Sequence, residues 1–335
     1  MPPVVTGDEA PQEIDIFWWN IHDYFHYDPS IKKDRWPKSK DIYDEKCRRV
    51  DTAFNAFFEK YKKPEIIILC EITKKAALDL GQRLFSDYKF FSLDTIDKKP
   101  TLQICMFYKP SDGIGMHELL PIVVEDMPDG SRPMAVLQIT KNNQHIRIVA
   151  CHWTARIGDD SESYREKAAQ HLSKYSYDYL IGPNNQNINN HIIIIGDLND
   201  EPFDRSLNKL YAHRHRERSL SKHHRTDKSV SRVHLYNCTW RMLGEKSAFD
   251  PKVDQKTSIS GSYYWEEKKS WYNLDQLIVS KGLISSHSPY IDEGSTQIVS
   301  LPQFLPDRKP KPFTFIKSEF FGLSDHLPIH TKVIF

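Results

Sequence analysis

Apolar residues along this chain recur with two periods. Ile192, Ile193, Ile194 and Ile195 form an unbroken run that shows no alternation, so it reads as a strand buried on both faces. Segments 14–19 and 65–70 have the same character. Between them Cys47, Val50, Phe54, Phe57, Phe58 and Tyr61 recur every three or four positions. That spacing lines one face of a helix, which Lys62-Lys63-Pro64 ends. Thr73 can cap a short helix carrying Ala77, Leu80 and Leu84. Strands are expected at 102–108, 114–124, 133–140 and 145–151, with turn chemistry at Pro128-Asp129-Gly130. Ser163 and Glu166 have capping-box spacing ahead of a stripe formed by Ala168, Ala169, Leu172, Tyr175, Tyr179 and Leu180. Segments 272–279 and 327–335 read as later strands.

Composition narrows the picture. The 335 residues are 39% hydrophobic and 27% charged, ample for a packed core. A formal net charge of +1 supplies no global field toward nucleic acid, so any such attraction must be local. The one basic concentration is 205–234, which holds Arg214, Arg216, Arg218, Lys222, Arg225 and Arg232. With Tyr211 almost its only aromatic, that segment lacks the stacking signature of a single-strand binder. Five dispersed cysteines form neither a disulfide framework nor a zinc pattern, and the start of the chain lacks a basic-then-apolar leader. The expectation is a cytoplasmic protein with reduced thiols. No run reaches the length of a membrane helix. Without repeats or long linkers, 14–335 reads as one domain behind a flexible 1–13.

The chemistry sits where the apolar runs stop. Segment 14–19 ends in Asn20, 65–70 in Glu71 and 146–151 in His152, while the isoleucines end in Gly196-Asp197-Leu198-Asn199-Asp200. Asp325 and His326 precede the last strand. Gly, Asp and Asn also favour plain turns, but adjacent strands can gather dispersed ends at one sheet edge. Carboxylates and amides without cysteine suit a hard cation, Mg²⁺ or Mn²⁺. Such an ion can polarise a phosphoryl oxygen and activate water. Asp275, inside an apolar strand, is costly unless paired. Phe17, Trp18 and Trp19 read as core.

The ordered set Trp19-Asn20, Cys70-Glu71, Cys151-His152-Trp153, Gly196-Asp197-Leu198-Asn199-Asp200, Leu274-Asp275-Gln276 and Ser324-Asp325-His326 resembles the endonuclease/exonuclease/phosphatase superfamily. The resemblance spans 14–335 and implies an α/β, DNase I-like four-layer sandwich, with two packed mixed β-sheets flanked by helices. It implies a metal site at Glu71, completed by Asn20 and Asp325, directly or through water. Asp197 would orient or deprotonate water, and Asn199 would hold a phosphate oxygen. His326 would contact the scissile phosphate with Asp275 fixing its tautomer, and His152 would be a second phosphate contact or proton donor. Two positions depart from the pattern. His22 stands where some relatives carry an acid, which puts a second metal site in doubt, and Cys151 replaces an Asn before the His.

The expected function is therefore a Mg²⁺- or Mn²⁺-dependent phosphodiester hydrolase, foremost a nuclease acting on DNA or RNA. Arg156, Arg214, Arg216 and Arg218 would contact the polynucleotide. The alternatives are a phosphoesterase for a small molecule or lipid headgroup, and a non-catalytic binding module on the same fold. Against the lipid version, the sequence suggests neither an amphipathic docking helix nor an exposed hydrophobic hairpin, so no membrane partner is expected.

Overall fold

The computed structural model describes residues 11–93, 101–111, 113–127, 132–182, 189–217, 232–244 and 259–335. The expected Pro128-Asp129-Gly130 turn, Arg218, Lys222 and Arg225 lie outside them. The chain runs β1 (Glu13–Tyr24), α1 (Lys40–Lys60), β2 (Ile66–Ile72), α2 (Lys74–Leu84), β3 (Lys89–Ser92), β4 (Gln103–Tyr108) and β5 (Gly115–Ile122). It continues through β6 (Met134–Lys141), β7 (Gln144–His152), α3 (Ser161–Leu180), β8 (Asn190–Asp197), α4 (Arg205–Lys209), β9 (Ala212–His213) and β10 (Leu235–Asn237). The remainder is β11 (Tyr263–Trp265), β12 (Ser270–Tyr272), β13 (Asp275–Val279), β14 (Tyr290–Ile298), β15 (Thr314–Ile316), β16 (Glu319–Phe321) and β17 (Ile329–Ile334).

Two mixed sheets carry the fold, in the orders β14-β17-β1-β2-β4-β3 and β5-β6-β7-β8-β13-β10-β9. Side-chain alternation along their central strands builds the layers. Ile14, Ile16 and Trp18 of β1 meet Ile193 and Ile195 of β8 and Leu277 and Val279 of β13 in the core between the sheets. Phe17 and Trp19 point the other way, onto Phe54 and Phe57 of α1 and Ala77 and Leu80 of α2. Ile192 and Ile194 pack on Ala168, Ala169 and Leu172 of α3. Each unbroken apolar run is thus covered on both faces, as its lack of alternation requires.

Several boundaries differ from the sequence expectation for local reasons. α1 starts at Lys40, ahead of Cys47 where the expected apolar stripe begins, because the Ser39 side chain accepts the Ile42 N–H and caps it. α3 starts at Ser161, so Ser163 lies inside the helix and the expected capping box does not form. The 272–279 segment divides: Tyr272 closes the β11–β12 hairpin and the core strand begins at Asp275. A second hairpin, β15–β16, also belongs to neither large sheet. It exposes Phe315, Ile316 and Phe321, which corrects the expectation that no exposed hydrophobic hairpin exists. Polar residues interleave with its aromatics, so the run reads as amphipathic until its packing is known.

Candidate active site

In the seven-stranded sheet His152, Asp197 and Asp275 share one register row, His152 opposite Asp197 and Asp197 opposite Asp275. Gly196 is required beside that row, because a Cβ there would lie 2.0 Å from the Cys151 carbonyl oxygen. In the other sheet Asn20 faces Cys70, after which the register slips. His22, Asp23 and Glu71 take φ of 53°, 45° and 59° in that irregularity. Left-handed backbone at three non-glycine residues is costly and collects at functional sites. Here it brings Glu71 beside Asn20, whose Nδ2 donates to Glu71 Oε1 (3.4 Å) and to Asp197 Oδ2 (3.0 Å).

The Ser324-Asp325-His326 loop is pinned to the end of β1. Ser324 Oγ donates to the Asn20 carbonyl (2.7 Å) and accepts the His326 N–H (3.0 Å). The Trp19 indole donates to the His326 carbonyl (3.0 Å). Buried Lys46 of α1 donates to the carbonyls of Ile21 (3.0 Å), His22 (3.1 Å) and Leu323. One amine, its pKa pushed down to about 7 by burial, thereby ties the exit of β1 to the loop carrying Asp325.

Charges in the cleft are sorted by burial and neighbours. Asp275 is fully buried, and its carboxylate accepts from the Trp18 indole (2.8 Å), Ser262 Oγ (2.6 Å) and His326 Nδ1 (2.7 Å). Burial disfavours charge on His326, but Asp275 and then Asp197 outweigh it and push its pKa up to about 10. Its other nitrogen, Nε2, lies 3.7 Å from Asp197 Oδ2. Burial, with the charge of Asp275, raises Asp197 to about 7 against the pull of His326 and two hydrogen bonds. His152 is held neutral, near 3, by burial and by Arg132. Arg132 Nη1 donates to His152 Nδ1 (3.1 Å), so the ring proton is on Nε2, facing Glu71 and Asp197. Burial would raise Glu71, yet His152, His22 and Arg132 bring it down to about 2.

The oxygen donors fit a hard cation. Asp325 Oδ1 is buried and accepts no hydrogen bond, and Glu71 is ionised beside it in the same cleft. Asp197, Asp275 and His326 also lie close enough together to suggest ligands. That trio is a poor cation site: the Asp275 oxygens are filled by three donors and His326 is itself positive. Asn20 donates through Nδ2 to two carboxylates and accepts the His22 N–H on Oδ1 (3.0 Å), which is the bonding of a positioning residue.

The cleft, about 530 Å³, brings together Glu71, His152, Asp197, Asn199, Asp325 and His326. Asn199 has φ 52°, and its Nδ2 donates to the Trp153 carbonyl (3.0 Å). Arg156 reaches the cleft, but its guanidinium braces the loop through the Asn199 carbonyl, Asp200 and Asp204. Arg214 and Arg216 are not in the lining: one approaches the Trp240 ring, the other Glu293 at 3.5 Å. Arg35, Arg132 and the rings of Tyr263, Trp265 and Tyr272 do line it, and sequence reasoning missed them. In the sequence nothing distinguishes Arg132. Trp18 gave a signal, since a core indole N–H needs an acceptor.

A profile of the Endonuclease/Exonuclease/phosphatase family matches residues 20–334. No curated protein matches the chain. Among solved structures, a humanized D. rerio TDP2 with 14 mutations superposes with TM-score 0.57 at 12% identity, covering 96% of this chain and 98% of that one. D. rerio TDP2 complexed with single-strand DNA product gives TM-score 0.52 at 13% identity, covering 96% and 98%. A mannosyl-6-phosphatase from Bacteroides thetaiotaomicron gives 0.53 at 13%, covering 96% and 100%. At these identities the likeness is one of fold.

Proposed function

The chain belongs to the Endonuclease/Exonuclease/phosphatase family, whose members hydrolyse phosphoester bonds, and we propose that it is a divalent-metal-dependent phosphodiester hydrolase. The observation that carries this is the gathering of Glu71, His152, Asp197, Asp325 and His326 in one cleft, with the buried Asp275 carboxylate bonded to the His326 ring. Glu71 and Asp325 would hold the cation, with Asn20 orienting Glu71. The cation would supply Lewis-acid stabilisation of charge developing on the phosphoryl group.

The residues divide the remaining work. Asp197, with a pKa near 7, is suited to take a proton from the attacking water. Its two hydrogen bonds, from Asn20 and from the Asn199 N–H (2.9 Å), fix its oxygens. His326 carries its proton outward on Nε2 and donates to a phosphate oxygen, while Asp275 holds the ring. His152 presents a neutral Nε2–H and can donate to a second oxygen or to the leaving group. Arg132 adds positive charge for a phosphate, whereas Arg35, also in the lining, is paired with Asp23.

For the substrate, the reading we favour is a compact phosphodiester, a small molecule or a lipid headgroup. The exposed β15–β16 hairpin runs directly into the loop of Asp325, and Arg214 and Arg216 are not in the lining of the cleft. Nuclease action is the second reading. It draws on the ring wall of Tyr263, Trp265 and Tyr272, which can stack on bases, and on the DNA-bound fold neighbour. A panel of bis-aryl phosphodiester, dispersed phospholipid, single-stranded and duplex DNA, and RNA, each with Mg²⁺, Mn²⁺ or EDTA, separates them. Undiminished turnover in EDTA refutes the metal-dependent reaction, and preferential cleavage of DNA or RNA refutes the favoured substrate.

A further inference from the structure

The β15–β16 hairpin is built as an exposed tip on a rigid root. Its two-residue turn, Lys317-Ser318, has φ of 52° and 68°, matching the primed turns whose twist suits a tight hairpin. At the root, Arg49 donates to the carbonyls of Gly322 (2.9 Å) and Phe320 (3.0 Å), and the Leu323 N–H donates to the Lys311 carbonyl (2.8 Å). Gly322 has φ 66°, and a Cβ there would meet the Pro312 carbonyl oxygen at 2.0 Å, so only glycine permits this approach. Lys311 and Ser324 are bridged, which joins the root to the segment bearing Asp325 and His326.

Both faces of the tip carry exposed apolar groups. Cross-strand pairs put Ile316 and Phe321, with Thr314 and Glu319, on one side and Phe315 with Phe320 on the other. Phe315, Ile316 and Phe321 remain 46%, 55% and 44% exposed. A hairpin lying on its own protein hides one face and shows water the other. This one shows water apolar groups from both. Around it, the four basic residues Arg308, Lys309, Lys311 and Lys317 outnumber the three acids Asp307, Glu319 and Glu266, with Lys317 at the exposed turn. Lys309 and Lys311 have acidic partners, Glu266 and Asp307, both at the surface. A second copy of the chain is a poor occupant. A stable dimer buries roughly 800 Å² per partner, more than a tip this narrow can cover.

We propose that the β15–β16 tip inserts into the interface of an anionic phospholipid bilayer, with Phe315, Ile316 and Phe321 among the acyl chains and Lys317 at the headgroups. Insertion would set the catalytic cleft against the membrane surface, because the rigid root ends at the loop of Asp325. The docking goes beyond the proposed reaction and does not depend on it. Apolar burial plus attraction of basic residues to anionic lipid is the usual basis of such binding.

The test is co-sedimentation with phosphatidylcholine vesicles containing about 30% phosphatidylserine, without metal or substrate. Wild type is expected to pellet with these vesicles, and less with pure phosphatidylcholine or at high salt. Phe315→Ser/Ile316→Ser should weaken binding by roughly tenfold or more, and Lys317→Glu should weaken it several-fold. Melting temperature and turnover of a soluble aryl phosphodiester should stay unchanged in both variants. Absence of wild-type binding, or equal binding by the double variant, overturns the proposal. So does concentration-dependent self-association that the double variant abolishes while vesicle binding persists. Binding is measured without turnover, so a failure of the hydrolase reading would not alter the outcome of this experiment.

Discussion

Replacing Asp275 by Asn tests the electrostatic logic of the site most directly. The carboxylate stands 2.7 Å from His326 Nδ1; at an effective dielectric of about 20 that is roughly 6 kcal/mol of attraction for an imidazolium. Burial opposes it, and the balance is a His326 pKa near 10 instead of the ordinary 6.5. At about 1.4 kcal/mol per pH unit this is on the order of 5 kcal/mol of preference for the protonated ring. Without Asp275, burial is opposed chiefly by Asp197 and Asp325, and the pKa should fall well below its wild-type value. The Asn amide would also turn an N–H toward donors, since Trp18, Ser262 and His326 all give protons to this carboxylate.

Two measurements follow. NMR titration of the His326 ring should show wild type protonated through pH 8 and the variant largely neutral there. The folded-state pKa lies above the unfolded one, so the stability it confers is whole below pH 6.5 and is lost as pH climbs through 10. Denaturant unfolding should show that decline in wild type and not in the variant. Turnover should drop by roughly three to four orders of magnitude, and Asp275→Asn/His326→Ala should be little worse than either single change. A variant ring still protonated at pH 9, or single losses that multiply in the double variant, would refute the reasoning.

Other expectations can be checked separately. Glu71→Gln and Asp197→Asn should each lose roughly a thousandfold or more in turnover with unchanged circular dichroism, and retained activity in either would remove that residue from the chemistry. Gly196→Ala should fold poorly or melt far below wild type, because its Cβ would sit 2.0 Å from the backbone of β7; a shift of a few degrees would contradict the geometry. Lys46→Met strips the donor from three carbonyls and should cost roughly 3 kcal/mol or more. Urea unfolding reads that loss, and a change below about 1 kcal/mol would show that the tie between β1 and the Asp325 loop is dispensable.

The layers and most of the residues that share the candidate cleft were legible in the amino-acid sequence. Runs such as Ile192 to Ile195 cannot alternate between core and water, so they must lie inside a sheet covered on both faces. Polar residues ending those runs can only emerge at a sheet edge, which is why Glu71, His152 and Asp197 stood out as a group. The family motifs supplied the rest of the set, Asp275 and His326 included. Whatever depends on neighbours remote in the chain had to wait for the folded arrangement. Arg132 became part of the site by donating to His152, and Trp18 by donating to Asp275, a residue 257 positions away. Arg156, a candidate substrate contact by its place in the sequence, turned into a brace because Asp200 and Asp204 fold back onto it. The apolar hairpin stayed hidden for the same reason. A segment such as 313–321 acquires inside and outside only when another part of the chain covers it or, as here, leaves it uncovered.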